Sequence, residues 1–305
     1  MKALLLAICA TPLLQGAIIK DVRDAIAQGD FPRADAALEA YRKQSGVTPE
    51  WLEALSWMGR GALAAKKYDQ AETYARRTYD LCLAELKKGR AVDADKNFPI
   101  ALGASIEVLG QVLGARNQRS EAIAFLEKEL AAYRQTSLRA RLQKNIHLLS
   151  LEGKPAPAVQ AKAHFGPAPK PLREHRGKPV LLFFWAHWCG DCKYQGPILA
   201  RLQRDFAQKG LVIVAPTQRY GYVARGEDAT PEQETAYIGE VWRQFYGELS
   251  GVTASVDEET FQNYGASTTP TLVLVDREGK VRMYHPGKMP YELLKEKVAA
   301  VAGGS

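Results

Sequence analysis

Five apolar residues in a row, Val180 to Phe184, run directly into Trp185-Ala186-His187-Trp188-Cys189-Gly190-Asp191-Cys192-Lys193, and no other stretch of the 305 residues limits the fold so strongly. Gly177-Lys178-Pro179 supplies a turn ahead of it, and Ile198, Leu199, Leu202 and Phe206 recur behind it at helical spacing. A buried strand therefore hands over to a helix at a Cys-x-x-Cys.

That placement carries chemistry. Two cysteines three apart across a first helical turn bring their sulfurs within bonding reach, and the first faces unpaired backbone N–H groups that favour a thiolate. Cys189 reads as the nucleophile and Cys192 as the resolving thiol. The alternative, half of a zinc site, lacks a second pair to complete four ligands.

Trp188-Cys189-Gly190-Asp191-Cys192-Lys193, with Pro197 five residues on, resembles a thioredoxin active site, and Tyr264-Gly265-Ala266-Ser267-Thr268-Thr269-Pro270-Thr271-Leu272 resembles the loop with which that family enters its next strand through a cis-proline. The resemblance covers roughly residues 151–301. It implies an α/β thioredoxin fold and a thiol:disulfide oxidoreductase with no cofactor beyond the redox-active disulfide Cys189–Cys192. It also implies Pro270 in the cis form against the sulfurs, Thr269 offering its backbone to a substrate strand, and Trp188 over the disulfide edge. Its partners would be protein thiols and disulfides and an upstream dithiol donor.

Two departures from the family pattern bear on mechanism. Asp191 stands where thioredoxins usually have proline, and a carboxylate at the mouth of a helix offsets part of a helix-end stabilisation of about 0.3–1 kcal/mol. It tilts the couple toward reduction, while a protonated His187 would pull the other way. Phe183 occupies the place of the family's buried aspartate and Thr253 that of its lysine. Proton transfer from Cys192 then falls to water or to Asp191, Glu258 or Glu259. A peroxidase reading fails because Phe184 to Cys189 lacks the proline and threonine of a Pro-x-x-x-Thr-x-x-Cys motif.

Length allows two domains, each with its own core. The net charge of +7 is spread along the chain without a basic cluster interleaved with aromatics, which argues against nucleic acid as a partner. Met1-Lys2 followed by an apolar run to Leu14 suits a secretory signal, with an uncleaved anchor or the first helix of the fold as the other readings of residues 1–17. A signal or anchor would place the protein in the periplasm. Cys9 belongs to that segment, and Ile8 before it is not the small residue of a lipoprotein signal. Cys82, on the helix face of Ala71, Ala75 and Thr78, reads as a buried core thiol.

Residues 18–152 read as helical. A turn recurs at Ala27-Gln28-Gly29-Asp30-Phe31, Ala65-Lys66-Lys67-Tyr68 and Ala115-Arg116-Asn117-Gln118, followed by Ala34, Ala71 and Ala122, at intervals of 37 and 51 residues. This resembles a degenerate tetratricopeptide array of about three helical hairpins with an insertion near residues 87–99, and a plain bundle is the alternative. A helix over 138–151 is expected to cap the stack. Residues 153–305 are the thioredoxin-like domain. Its proline-rich entry, Gly153-Lys154-Pro155-Ala156-Pro157 with Pro167, Pro169 and Pro171, predicts extended chain or edge strands and resembles exported redoxins of the TlpA and ResA type. Strands are predicted at 211–215, 252–256, 271–275 and 281–284, and helices at 234–249 and 290–302, with a long polar loop over 217–233.

The leading expectation is an exported thiol:disulfide oxidoreductase that reduces protein disulfides and serves cell redox homeostasis. A repeat-based adaptor holding a partner peptide, with a redoxin half that only senses redox state, is the alternative.

Overall fold

The computed structural model describes residues 17–303, so the signal or anchor segment and Cys9 lie outside the described residues apart from Ala17, which already begins a helix. The chain divides into two compact units, residues 1–118 and 119–305.

The first unit contains α1 (Ala17–Ala27), α2 (Phe31–Ser45), α3 (Pro49–Ala64), α4 (Tyr68–Lys87) and α5 (Phe98–Ala115). Asp30 and Thr48 start α2 and α3 by accepting the backbone N–H groups of Arg33 and Trp51, and Pro32 and Pro49 sit in the first turns. The three recurrent turns share one backbone feature. Gly29, Lys66 and Asn117 all have positive φ (75°, 58° and 62°), each five positions before the alanine that opens the next helix. Those alanines, Ala34, Ala71 and Ala122, are fully buried. A Cβ on Gly59 of α3 would lie 3.3 Å from the backbone nitrogen of Ala75, so small residues are what let α3 and α4 meet backbone to backbone. Helix α5 is long and apolar enough to cross a membrane, yet 61% of it is buried, as in a core helix packed on α3 and α4. Cys82 is fully buried as expected, and burial pushes its thiol up to about 12.

The second unit contains α6 (Arg119–Ala132), α7 (Arg139–Ser150), β1 (Ala163–Phe165), β2 (Val180–Phe184), α8 (Gly190–Asp205), β3 (Val212–Thr217), α9 (Pro231–Tyr246), β4 (Thr253–Val256), α10 (Glu258–Tyr264), β5 (Thr271–Val275), β6 (Val281–Pro286) and α11 (Tyr291–Ala302). The sheet order is β1-β4-β3-β2-β5-β6, with β2, β3 and β4 parallel and the other pairings antiparallel. Alternation along β2 divides the core in two. Leu181 and Phe183 pack with α8, α9 and α11, whereas Val180, Leu182 and Phe184 pack with Phe261 and Tyr264 of α10. The parallel crossovers leave the carboxyl ends of β2 and β3 side by side, where the Cys-x-x-Cys begins.

The proline-rich entry is extended as predicted and supplies the edge strand β1, with a short 3-10 turn at Leu172–His175. Helix α10 was not foreseen; its first turn follows β4 directly and is capped by Asp257 accepting the Thr260 N–H. The helix expected to cap the helical stack, α7, pairs with α6 and also packs on α10. Arg139 makes a two-pronged ion pair with Glu259, His147 Nε2 lies 2.8 Å from the Asn263 carbonyl, and His147 meets Tyr284 edge-on. Its buried face mixes Leu142 and Ile146 with Lys144, Asn145 and His147, so apolar periodicity alone did not report where it docks. The break in composition at Leu151 and the break in packing after Gln118 are thus different places.

Candidate functional site

Cys189 is the N-cap of α8, and its sulfur accepts the Cys192 N–H at 3.1 Å. The two cysteines form a disulfide with their Cα atoms 5.2 Å apart. Cys189 is 3% exposed and Cys192 not at all, so of the two the first lies nearer the surface. A Cβ on Gly190 would touch nothing within 4 Å, which marks open space in front of the helix mouth.

The loop before β5 comes to the same place. The Thr269–Pro270 bond is cis, and Cys189 Sγ lies 3.4 Å from the Thr269 carbonyl oxygen. Thr271 Oγ1 donates to the Thr268 carbonyl at 2.6 Å and Gly287 N to that of Pro270 at 2.7 Å, which fixes the loop on the sheet. Trp188 is 49% exposed and meets Tyr220 edge-on at 5.5 Å. Behind it, buried Trp185 donates its indole N–H to the Ala215 carbonyl and packs against Trp242 and Tyr246 of α9. The predicted aromatics of that helix mostly cover the sheet; Phe245 is the exposed one, under the Lys193 ammonium.

Asp191 stands at the helix mouth as expected, but its carboxylate takes Lys288 Nζ at 2.7 Å, a pair the sequence did not indicate. The pair is half exposed, so its field at the sulfur is screened. His187 lies two residues ahead of Cys189. It is buried, with Nε2 3.2 Å from Glu234 Oε1, and burial holds its pKa below the ordinary histidine value despite the carboxylate. Burial thus works against the protonated imidazole that would favour the thiolate.

Phe183 is fully buried against Tyr246, and Thr253 donates to the Pro167 carbonyl. Of the suggested proton carriers, Glu258 experiences the desolvation of partial burial, yet bonds from Arg219 and Lys162 bring its pKa down to about 2. Glu259 is lowered by its hydrogen bond with Arg139. Both are committed ion-pair anions. Two buried polar residues were missed: Gln195, three positions after Cys192 in α8 and bonded both ways to the Met289 backbone, and Glu234, 1% exposed and facing His187. A glutamate in the first turn of a helix, here beside Glu232, reads from sequence as ordinary helix-end charge, so nothing local signalled its burial.

Residues 151–301 match the Redoxin family. This segment is a redoxin domain. The redoxin is 26% identical over 147 residues to thioredoxin-like protein YneN of Bacillus subtilis, covering 48% of this chain and 78% of that one. It is 26% identical over 130 residues to thiol-disulfide oxidoreductase ResA of Geobacillus thermodenitrificans, covering 43% and 67%. With thiol:disulfide interchange protein DsbE of Xylella fastidiosa it shares 27% identity over 153 residues, covering 50% and 70%. Together with the Cys189–Cys192 pair, these likenesses make the redoxin a thioredoxin-like thiol:disulfide oxidoreductase.

Proposed function

We propose that the chain is an exported, periplasmic reductant of protein disulfides, with Cys189 as nucleophile, Cys192 as resolving thiol, and no cofactor beyond their disulfide. The observation that carries the reading is the asymmetry of the pair: one cysteine slightly exposed at a helix N-terminus, its sulfur beside the Thr269 carbonyl, the other fully buried. In the reduced state the Cys189 thiolate attacks a substrate disulfide, forming a mixed disulfide and expelling one substrate thiolate, which takes up a proton. The Cys192 sulfur, deprotonating as it attacks, then displaces the second substrate sulfur, leaving the Cys189–Cys192 disulfide. Two electrons and two protons pass to the substrate, and an upstream dithiol must restore the pair. Trp188, Thr269 and Pro270 frame the substrate; Thr269 is partly exposed and Pro270 buried.

Export is supported by the apolar run after Lys2 and by similarity to proteins named ResA and DsbE. We read the helical unit as a tetratricopeptide-like scaffold for a partner peptide, on the strength of its repeated left-handed turn residues and buried alanines. Equilibration with glutathione or dithiothreitol tests the direction of flow. A reduction potential well below about −180 mV is expected, and a value above that of the protein disulfide isomerase class would make the protein an oxidant.

A further inference from the structure

Residues 218–230, between β3 and α9, form a longer polar loop than a redoxin of this pattern needs, and they do not hang free. Tyr222 pairs with Asp228, Val223 N donates to the Glu227 carbonyl at 2.8 Å and Ala229 N to that of Gly221 at 3.0 Å, so the loop folds back on itself. Gly221, at φ +87°, makes the sharp turn at its base.

One side chain fastens that base to the active-site loop. Thr230 and Gln233 form a capping box that fixes the start of α9, and Glu234 follows in the first turn with its carboxylate buried. Oε1 accepts the Tyr220 N–H at 2.5 Å and faces His187 Nε2 at 3.2 Å; Oε2 accepts the Gly221 N–H at 2.8 Å. Buried carboxylates persist only where such donors replace water. His187 gives its Nε2–H to the carboxylate, and its ring is enclosed edge-on by Tyr220, Tyr222 and Tyr237 at 5.4–5.7 Å. Tyr220 in turn meets Trp188, the residue next to Cys189. Trp188, which directly precedes Cys189, and Tyr220 thus make an aromatic shelf whose position is set from below by Glu234.

We propose that this shelf selects the substrate: it receives a bulky apolar side chain adjacent to the substrate cysteine, and Glu234 is the positioning residue that holds it. The proposal rests on the disulfide-reductase reading above and adds the class of disulfide preferred, one flanked by large apolar residues as in an incompletely folded chain. Continuity carries the choice of occupant. A chain presenting its sulfur to Cys189 from the Thr269 side brings its neighbouring side chain over the half-exposed Trp188 ring.

The test compares kcat/KM for two disulfide-linked model peptides, identical except for leucine or glycine beside the cysteine. Wild-type protein should favour the leucine peptide by tenfold or more. In Glu234→Gln an amide N–H must confront a backbone N–H, the loop base is released, and the preference should fall to about twofold. Tyr220→Ala should reproduce that loss without disturbing the buried carboxylate, and Tyr220→Phe should restore the preference. Equal rates for both peptides in the wild type, or an unchanged ratio in both Glu234→Gln and Tyr220→Ala, would overturn the proposal. Wild-type protein that exchanges with neither peptide nor with hydroxyethyl disulfide would instead remove the redox reading beneath it.

Discussion

The sulfur of Cys189 lies 3.4 Å from the carbonyl oxygen of Thr269, a residue 80 positions further along the chain. The nucleophile and the loop that would hold a substrate backbone are thereby parts of one surface, and Cys192 is enclosed behind it. Cys189→Ser should abolish reduction of insulin disulfides. Cys192→Ser should retain the attack and stop at a mixed disulfide, seen by mass spectrometry as a covalent adduct released by dithiothreitol. An adduct forming through residue 192 in Cys189→Ser would reverse the roles.

Asp191 and Lys288 set opposing charges at the same helix mouth. Removing the cation in Lys288→Ala leaves the carboxylate unopposed, disfavours the Cys189 thiolate and should make the couple more reducing. Asp191→Asn should act in the opposite sense. Helix-end charges of this kind shift a two-electron potential by no more than roughly 20 mV. Redox titration against glutathione in low salt measures both shifts, and shifts of the same sign would contradict the assignment.

Burial holds His147 and His187 below the ordinary histidine pKa of 6.5. As the pH falls past that value the unfolded chain takes up protons that the folded chain refuses. These groups therefore leave stability untouched above about pH 7 and lower it on acidification, by at most about 1.4 kcal/mol per pH unit each. Urea unfolding followed at pH 7.5 and pH 5.5 should show the decline, and His147→Gln should make it shallower. Equal slopes in the two proteins would contradict this.

Gly265 sits at φ +59°, and a Cβ there would come within 2.3 Å of the Lys144 nitrogen in α7. Gly265→Ala combines a left-handed penalty of about 1–2 kcal/mol with a backbone clash and should destabilise the redoxin unit by more than about 2 kcal/mol. A shift of the urea midpoint measures it. An unchanged midpoint would mean that α7 does not dock on α10 in solution.

Much of this site was legible before any coordinates. The apolar run 180–184, the cysteines at the next helix start and the proline ahead of strand 271–275 are local signals, and each element formed where its period and its breakers placed it. The three turns with a small residue five positions on were legible for the same reason. The departure at Phe183 was visible too, but its consequence was not. The candidates named for proton transfer, Glu258 and Glu259, are committed to Arg219, Lys162 and Arg139, all distant in sequence.

The amino-acid order alone determined the strand, the dithiol and the helix behind it, because hydrophobic period and cysteine spacing act over a few residues, while the loop that faces them was expected only through the resemblance to thioredoxins. Tertiary packing decided the rest. His187 and Glu234 are 47 residues apart, and Asp191 and Lys288 are 97 apart. Which of many similar charged side chains becomes buried, and against which partner, depends on how strands and helices stack, and no short-range pattern records that.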